Sequence, residues 1–387
     1  MTSDERKELR YQRRKDRRIK KKSNKYSYCD NFDKVFSYEN LYQAYQICRK
    51  GVSWKASVQK YIIQAPYEIY KTYKNLHENK YKPEGFYEFD IMERGKLRHI
   101  CSVTINERVV QRCLCDNALV PMLKRSFIYD NGACMQDKGY TFAINRLTMH
   151  LQKHYRKYGN EGYILIFDFK KFYDNISHEL IKNIVNKNFS DKKIKNLCYQ
   201  FIDAFGDVGL GLGSQVSQIL ALSSANKIDH LVKEKLCIQG YGRYNDDGYL
   251  ISSSKEYLKE CLKKIKILCK ELDITINEKK THIIKLSHGF TWLKVKFYLT
   301  KTGKVVKKIN SKSITRTRRK LKKLKQLLDD NKIEYQDVQC SWQSWRAYAK
   351  NFNSNRTIFN TAKLYNELFI TDWLCKPMIS EKGCNTW

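Results

Sequence analysis

Proline is scarce, with four in 387 residues, and no stretch forms a low-complexity linker or an internal repeat. No apolar run approaches the roughly 20 residues that a membrane-crossing helix needs. The charged start of the chain has no apolar segment of the kind a signal peptide requires. The thirteen cysteines fall into no CxxC pair and no Cys/His metal spacing, and Cys113 and Cys115 in "CLC" are the nearest pair. An odd, scattered set excludes a disulfide framework and reads as reduced, mostly core thiols of a cytoplasmic protein. Acidic residues are also few, 40 against 74 lysines and arginines, for a net charge of +34. Such an excess points to a polyanionic partner, nucleic acid first. Lysine-rich codon usage is the bland explanation, but it would raise glutamate as well, and glutamate shows no matching excess.

Apolar residues make up 42% of the chain and aromatics 13%, with 27 tyrosines, so most of its length should fold around a sizeable core. The length suits two or three domains, or one large lobed one. Residues 1–25 hold twelve basic and four acidic side chains and few apolar ones, which predicts a basic arm, disordered or conditionally helical. Helical spacing follows from about 30 to 80. "YEFDIMERGKLRHICSV" reads as two strands joined by a turn at Arg94–Gly95, and "NERVVQRCLCDNALVPMLKRSF" is helical again. Residues 163–169, "YILIFDF", form a continuous apolar strand, with a helix from about Ser177. "FTWLKVKFYLTKTGKVVKKI" reads as a hairpin turning near Thr302–Gly303. Residues 313–330 form a basic helix, and two more helical segments follow. The expected class is α+β, with a helical C-terminal end.

Asp246 and Asp247 stand side by side in "GRYNDDGYLI", where aspartate is disfavoured in a strand and costly to bury. Asp168 ends the apolar strand of "ILIFDFKKFYD". If these strands are neighbours, three carboxylates converge, and converging carboxylates repel unless a cation neutralises them. Hard divalent ions such as Mg²⁺ take oxygen ligands and pair carboxylates with phosphates. Two such ions about 4 Å apart activate a hydroxyl nucleophile and stabilise a leaving pyrophosphate. A lone DD dipeptide is weak evidence, since most are exposed turns, and the surrounding motifs are what give it weight.

In order along the chain, "FDFKKFYD", "GLGLGSQVSQILALSSANKID", "YNDD", "INEKKT" and "GFTWLKVKFY" resemble motifs A to E of reverse transcriptases. Upstream, "RGKLRHICSVTINERVVQRCLCDNALVP" resembles the fingers of the bacterial enzymes. Downstream, "SWQSWRAYAKNFN" is similar to the thumb of the diversity-generating and unknown-group types. The resemblance covers residues 30–370 and implies a right-hand polymerase. Its parts would be a basic arm at 1–29, fingers with N-terminal helices at 30–160, a palm at 161–300, and a helical thumb and tail at 301–387.

The resemblance also implies roles. Asp168 and Asp246 hold two Mg²⁺ ions, with Mn²⁺ as a substitute and the Phe169 carbonyl as a further ligand. Asp247 either ligates or makes a structural hydrogen bond in the turn. Tyr173 stacks under the sugar and clashes with a 2′-hydroxyl, which favours deoxynucleotides. Asp174 follows it immediately, so this inference depends on the register. Lys96 and Arg98 grip the triphosphate, and both have solvent-facing strand positions as the plain alternative. Lys280, with Lys279 beside it, is the motif D lysine, a proton donor to pyrophosphate.

Motif B lacks the common Pro-Gln-Gly. Leu212 replaces the glutamine, with either altered base selection or ordinary packing as the consequence, and Gly213 permits close approach of the backbone to the base pair. Asn245 is also unusual in a YxDD box. On the basic helix, Arg316, Arg318, Arg319, Lys322 and Lys323 would face a duplex backbone, where contacts are sequence-independent and salt-sensitive.

The resulting expectation is an RNA-directed DNA polymerase. It would make cDNA on a structured non-coding RNA, in anti-phage defence, with dNTPs and the DNA product as further ligands, no membrane, and an accessory protein or oligomer as an open question. A low-fidelity diversity-generating enzyme is the first alternative. A non-catalytic, maturase-like RNA-binding protein is the second.

Overall fold

A computed structural model describes residues 2–93 and 95–370, apart from the side chains of 15, 16, 18–25 and 96. Arg94 of the expected turn and the tail at 371–387 lie outside the described residues. The described residues form two compact units. One takes in the chain up to Ala143, Phe167–Gly248 and Lys259–Thr281, and the other takes in Ile144–Ile166, Tyr249–Leu258 and the chain from His282 on. Helices and antiparallel strands are mixed throughout, so the fold is α+β as expected.

The basic arm is one helix, Ser3–Tyr26. Thr2 caps it: its hydroxyl accepts from the Glu5 amide, and the Glu5 carboxylate accepts from the Thr2 amide. That reciprocal capping box explains why a strongly basic segment can start a helix at all. Short amphipathic helices follow, among them Tyr38–Cys48 and Ala65–His77. Next comes a two-stranded hairpin of β1 (Tyr87–Glu93) and β2 (Lys96–Ser102), with Gly95 at φ +78° in its turn. The helix Ile105–Leu114 continues through a wider turn at Cys115–Leu119.

A four-stranded sheet has the order β4-β5-β3-β6, where β3 is Tyr163–Asp168, β4 Tyr241–Tyr244, β5 Asp247–Ser252 and β6 His282–Lys285. Ile164, Leu165 and Phe167 of β3 are fully buried, as a continuous apolar run in a central strand requires. β3 and β6 are antiparallel, from Tyr163 opposite Lys285 to Ile166 opposite His282.

The segment expected to be one hairpin is a three-stranded meander of β7 (Phe290–Trp292), β8 (Val295–Leu299) and β9 (Val305–Ile309). The turn at Gly303 is present, at φ +81°. A second reversal falls at Leu293 and Lys294, both in the left-handed region at φ +45° and +67°. That turn carries no Asn, Asp or Gly, the residues that normally mark two-residue hairpin loops. Three helices follow, Ser311–Asp329, Tyr335–Lys350 and Asn355–Phe369. They close on a core of Leu321, Val338, Trp342, Ala362 and Tyr365. Trp342 stacks on Trp345 and on Tyr365.

Candidate active site

The carboxylates meet at the ends of β3 and β5. The Asp168 carbonyl accepts from the Asn277 amide at 2.7 Å, the Phe169 amide donates to the Asp246 carbonyl at 3.1 Å, and the Lys170 amide donates to the Thr275 carbonyl at 2.7 Å. These bonds fix the end of β3 between the β4–β5 turn and residues 275–277. Gly248 lets the next strand pack closely, since a Cβ there would lie 2.2 Å from the Phe167 ring. One oxygen each of Asp168, Asp246 and Asp247 then falls within 4.8 Å of the others.

The electrostatics of this cluster are unbalanced. Asp168 is buried, and its Oδ2 accepts from Lys280 Nζ at 2.7 Å and from Asn277 Nδ2 at 3.1 Å. Burial, then the Asp168 charge, holds the Asp246 carboxyl above its ordinary range. Burial, then Asp246 and Asp168, pushes Asp247 up to about 7. Burial works against the Lys280 ammonium, but the Asp168 hydrogen bond and the three acidic charges outweigh it and raise its pKa. Lys280 is the one cation that these shifts and hydrogen bonds place at the three carboxylates. Hard oxygen donors with surplus negative charge fit divalent cations such as Mg²⁺, and Asp168 and Asp246, with Asp247 beside them, are the residues that would hold them.

A second buried charge group sets the turn, and it is not among the site positions expected from the sequence. Arg243 is almost wholly buried and binds Asp229 twice, Nε to Oδ1 at 2.8 Å and Nη2 to Oδ2 at 2.7 Å. Its remaining donors reach the carbonyls of Asn245 at 2.9 Å and Leu222 at 3.1 Å. Tyr241 donates to the same Asp229 at 2.6 Å. Asn245 sits at φ +52°, a conformation that Asn tolerates better than most residues, and its side-chain oxygen accepts from the Cys134 thiol. An arginine inside an apolar strand, three residues before the aspartates, was the available signal.

The other expected positions fall as follows. Tyr173 is half-buried while Asp174 is exposed. Burial first, then the nearby Cys134 and Asp246, pushes the Tyr173 hydroxyl above its ordinary range. The Leu212 carbonyl accepts from the Cys101 amide at 3.0 Å. Gly213 has φ +123°, and a Cβ there would lie 2.4 Å from the Cys101 carbonyl oxygen, so its close approach is to β2. Arg98 is exposed and pairs with Glu93 at 2.8 Å, and the Lys96 side chain lies outside the described residues. In the second unit, Arg316, Arg318, Arg319, Lys322 and Lys323 are all exposed on the helix whose Leu321 is buried. Among the described residues, no helix is long and apolar enough to cross a membrane.

Residues 80–297 match the family described as "Reverse transcriptase (RNA-dependent DNA polymerase)". A curated relative, the "Putative COX1/OXI3 intron 2 protein" of Saccharomyces cerevisiae, is 25% identical over 177 residues, which is 43% of this chain and 20% of that protein. The chain thus spans about a fifth of that relative's length. Among solved structures, a telomerase of Candida tropicalis truncated from its C-terminal domain is 18% identical with a TM-score of 0.43, over 57% of this chain and 54% of that one. A telomerase of Candida albicans, in complex with a fragment of telomeric RNA, is 13% identical with a TM-score of 0.46, over 80% of this chain and 63% of that one.

Proposed function

The chain belongs to the reverse transcriptase (RNA-dependent DNA polymerase) family, and from that premise we propose that it extends a 3′-hydroxyl with deoxynucleotides on an RNA template. The observation that carries the proposal is three carboxylates within 4.8 Å of one another with Lys280 paired to one of them. When bound there, two Mg²⁺ ions would sharpen the attacking hydroxyl and neutralise charge on the leaving pyrophosphate.

The chain's own residues do the rest. Asp168 and Asp246 present the ligand oxygens, and Asn277 and Lys280 hold Asp168 in place. Lys280, kept protonated by the cluster, is placed to give a proton to the departing pyrophosphate. Tyr173 lines the sugar position and disfavours a 2′-hydroxyl, which its half-burial beside an exposed Asp174 supports. Arg98 and Lys96 on the β1–β2 hairpin meet the triphosphate, with Leu212 and Gly213 behind the base pair.

We assign fingers to residues 30–160, palm to 161–300 and thumb to the helices from 301. The exposed cations of the Ser311–Asp329 helix, with the basic helix at the N-terminus, support a structured non-coding RNA as template and partner. We place the enzyme in a reducing cytoplasm, supported by cysteines scattered through the core, such as Cys113, Cys115 and Cys198. The likeness of its thumb segment to the unknown-group enzymes supports a role in anti-phage defence, and phage challenge of cells carrying Asp246→Ala tests that setting.

The activity itself is tested with purified protein and its co-purifying RNA, Mg²⁺, and labelled dNTPs or rNTPs. Incorporation of dNTPs that disappears in Asp246→Ala is the expected result. RNA retained without incorporation would favour an RNA-binding, maturase-like role instead.

A further inference from the structure

Among the described residues the β1–β2 hairpin has no third strand, and every residue of β1 is exposed. An isolated two-stranded hairpin is marginal in water, so something beyond backbone pairing must hold this one. Side chains alternate between faces along a strand, and Glu88 pairs with Cys101 while Asp90 pairs with His99. All four side chains therefore share one face. Arg98, directly opposite Ile91, lies on the other.

On the shared face, Glu88, His99 and Cys101 each place a ligand atom within 4.8 Å of the other two. His99 Nε2 is 3.6 Å from Glu88 Oε2. Donors about 2.0–2.3 Å from a tetrahedral zinc ion lie roughly 3.3–3.8 Å apart, so that spacing is already close to a shared ion's. The other ring nitrogen, Nδ1, is 3.0 Å from Asp90 Oδ1. Metal-bound histidines characteristically have such a carboxylate on the far nitrogen, which fixes the tautomer and directs the near one at the ion.

We propose that Glu88, His99 and Cys101 bind a zinc ion on the fingers hairpin, with Asp90 as a positioning residue and water or substrate-free solvent completing the shell. The mixed oxygen, nitrogen and sulfur donors suit Zn²⁺ rather than Mg²⁺. Binding releases the Cys101 thiol proton to solvent and forms the Zn–S bond, with no change of oxidation state. Cys101 is nearly buried while Glu88 and His99 are exposed, so the ion enters from the solvent side. The consequence reaches the loop before the helix Gln215–Ser224. Cys101 donates its amide to Leu212, and its carbonyl packs against Gly213. An ion on Cys101 would therefore stiffen the hairpin that carries Arg98 against that loop. The zinc site is separate from the carboxylate site and stands independently of the polymerase proposal.

The test is Co²⁺ titration of the full, chelator-stripped chain, kept reduced with a thiol-free phosphine and held in excess Mg²⁺ to occupy the carboxylates. The expected result is a thiolate-to-cobalt charge-transfer band at one ion per chain, displaced by Zn²⁺ and lost in both Cys101→Ser and His99→Gln. Asp90→Asn should keep the band and weaken binding about 10- to 100-fold. Absence of the band in the wild type, or its survival in Cys101→Ser, would overturn the site and leave His99 as an ion-pair partner of Glu88 and Asp90 only.

Discussion

Two buried charge groups share the β4–β5 hairpin, and they are built on opposite plans. Around Arg243 every charge is matched: the guanidinium and the Asp229 carboxylate are both fully buried, and Tyr241 and two carbonyls take up the remaining donors and acceptors. Around Asp246, a few residues along, three carboxylates face Lys280. The same strand turn thus carries a closed group that fixes its shape and an open group that lacks positive charge. The closed group contributes order, because its geometry is complete without a ligand. The open group stores repulsion that protons relieve in part and a bound metal cation can relieve with the carboxylates ionised, and that is the property a metal-dependent site needs.

The largest separation between the two should appear on neutralising one carboxylate in each. Asp246→Asn removes a repelling charge, so the metal-free protein should melt no lower than wild type, while incorporation falls by about 10⁴-fold or more. Circular dichroism melting beside primer extension reads both, and a variant that is both destabilised and active would erase the distinction. Asp229→Asn should do the reverse to the fold. It leaves Arg243 buried without its counter-ion, a loss of about 3–5 kcal/mol. Denaturant unfolding measures it, and a loss under about 1 kcal/mol would mean that water reaches the pair.

Added Mg²⁺ gives the next effect in size. An ion that binds only the folded chain stabilises it by about 2.7 kcal/mol at a hundred times its Kd. The wild-type melting point should therefore rise with Mg²⁺, and the rise should vanish in Asp168→Asn. A rise that persists unchanged in that variant would place the stabilising ion elsewhere.

The open group was legible in the sequence and the closed one was not. Asp168, Asp246 and Asp247 announce themselves because acidic residues in apolar strands conflict with local preference, and a local conflict of that kind can be read without a partner. Arg243 conflicts just as strongly, but its meaning depends on Asp229, fourteen residues away on another element, and pairing across that distance leaves no periodic trace. The same limit hid the contact between Gly213 and Cys101, which tertiary packing sets. The extra turn at Leu293–Lys294 was hidden for a different reason: its backbone is left-handed where the residues carry no turn signal.

Asn245 joins the two groups, and it provides the smallest effect and the finest test. Its carbonyl belongs to the Arg243 network, its backbone is left-handed at φ +52°, and Asp246 follows it. Its polar side chain is unusual in a YxDD box, and a direct effect on nucleotide selection is one reason to have it there. The structure offers a backbone reason for the same residue, and the two reasons part on substitution. Glycine keeps the left-handed turn without the amide, so Asn245→Gly should hold stability within about 0.5 kcal/mol of wild type. Asn245→Ala keeps a Cβ in that region and should cost about 1 kcal/mol. If Asn245→Gly also keeps wild-type nucleotide selection, the residue serves the turn that carries Asp246. If selection shifts while stability holds, the amide itself acts on the substrate, and the open group extends one residue further towards Arg243 than the carboxylates alone define.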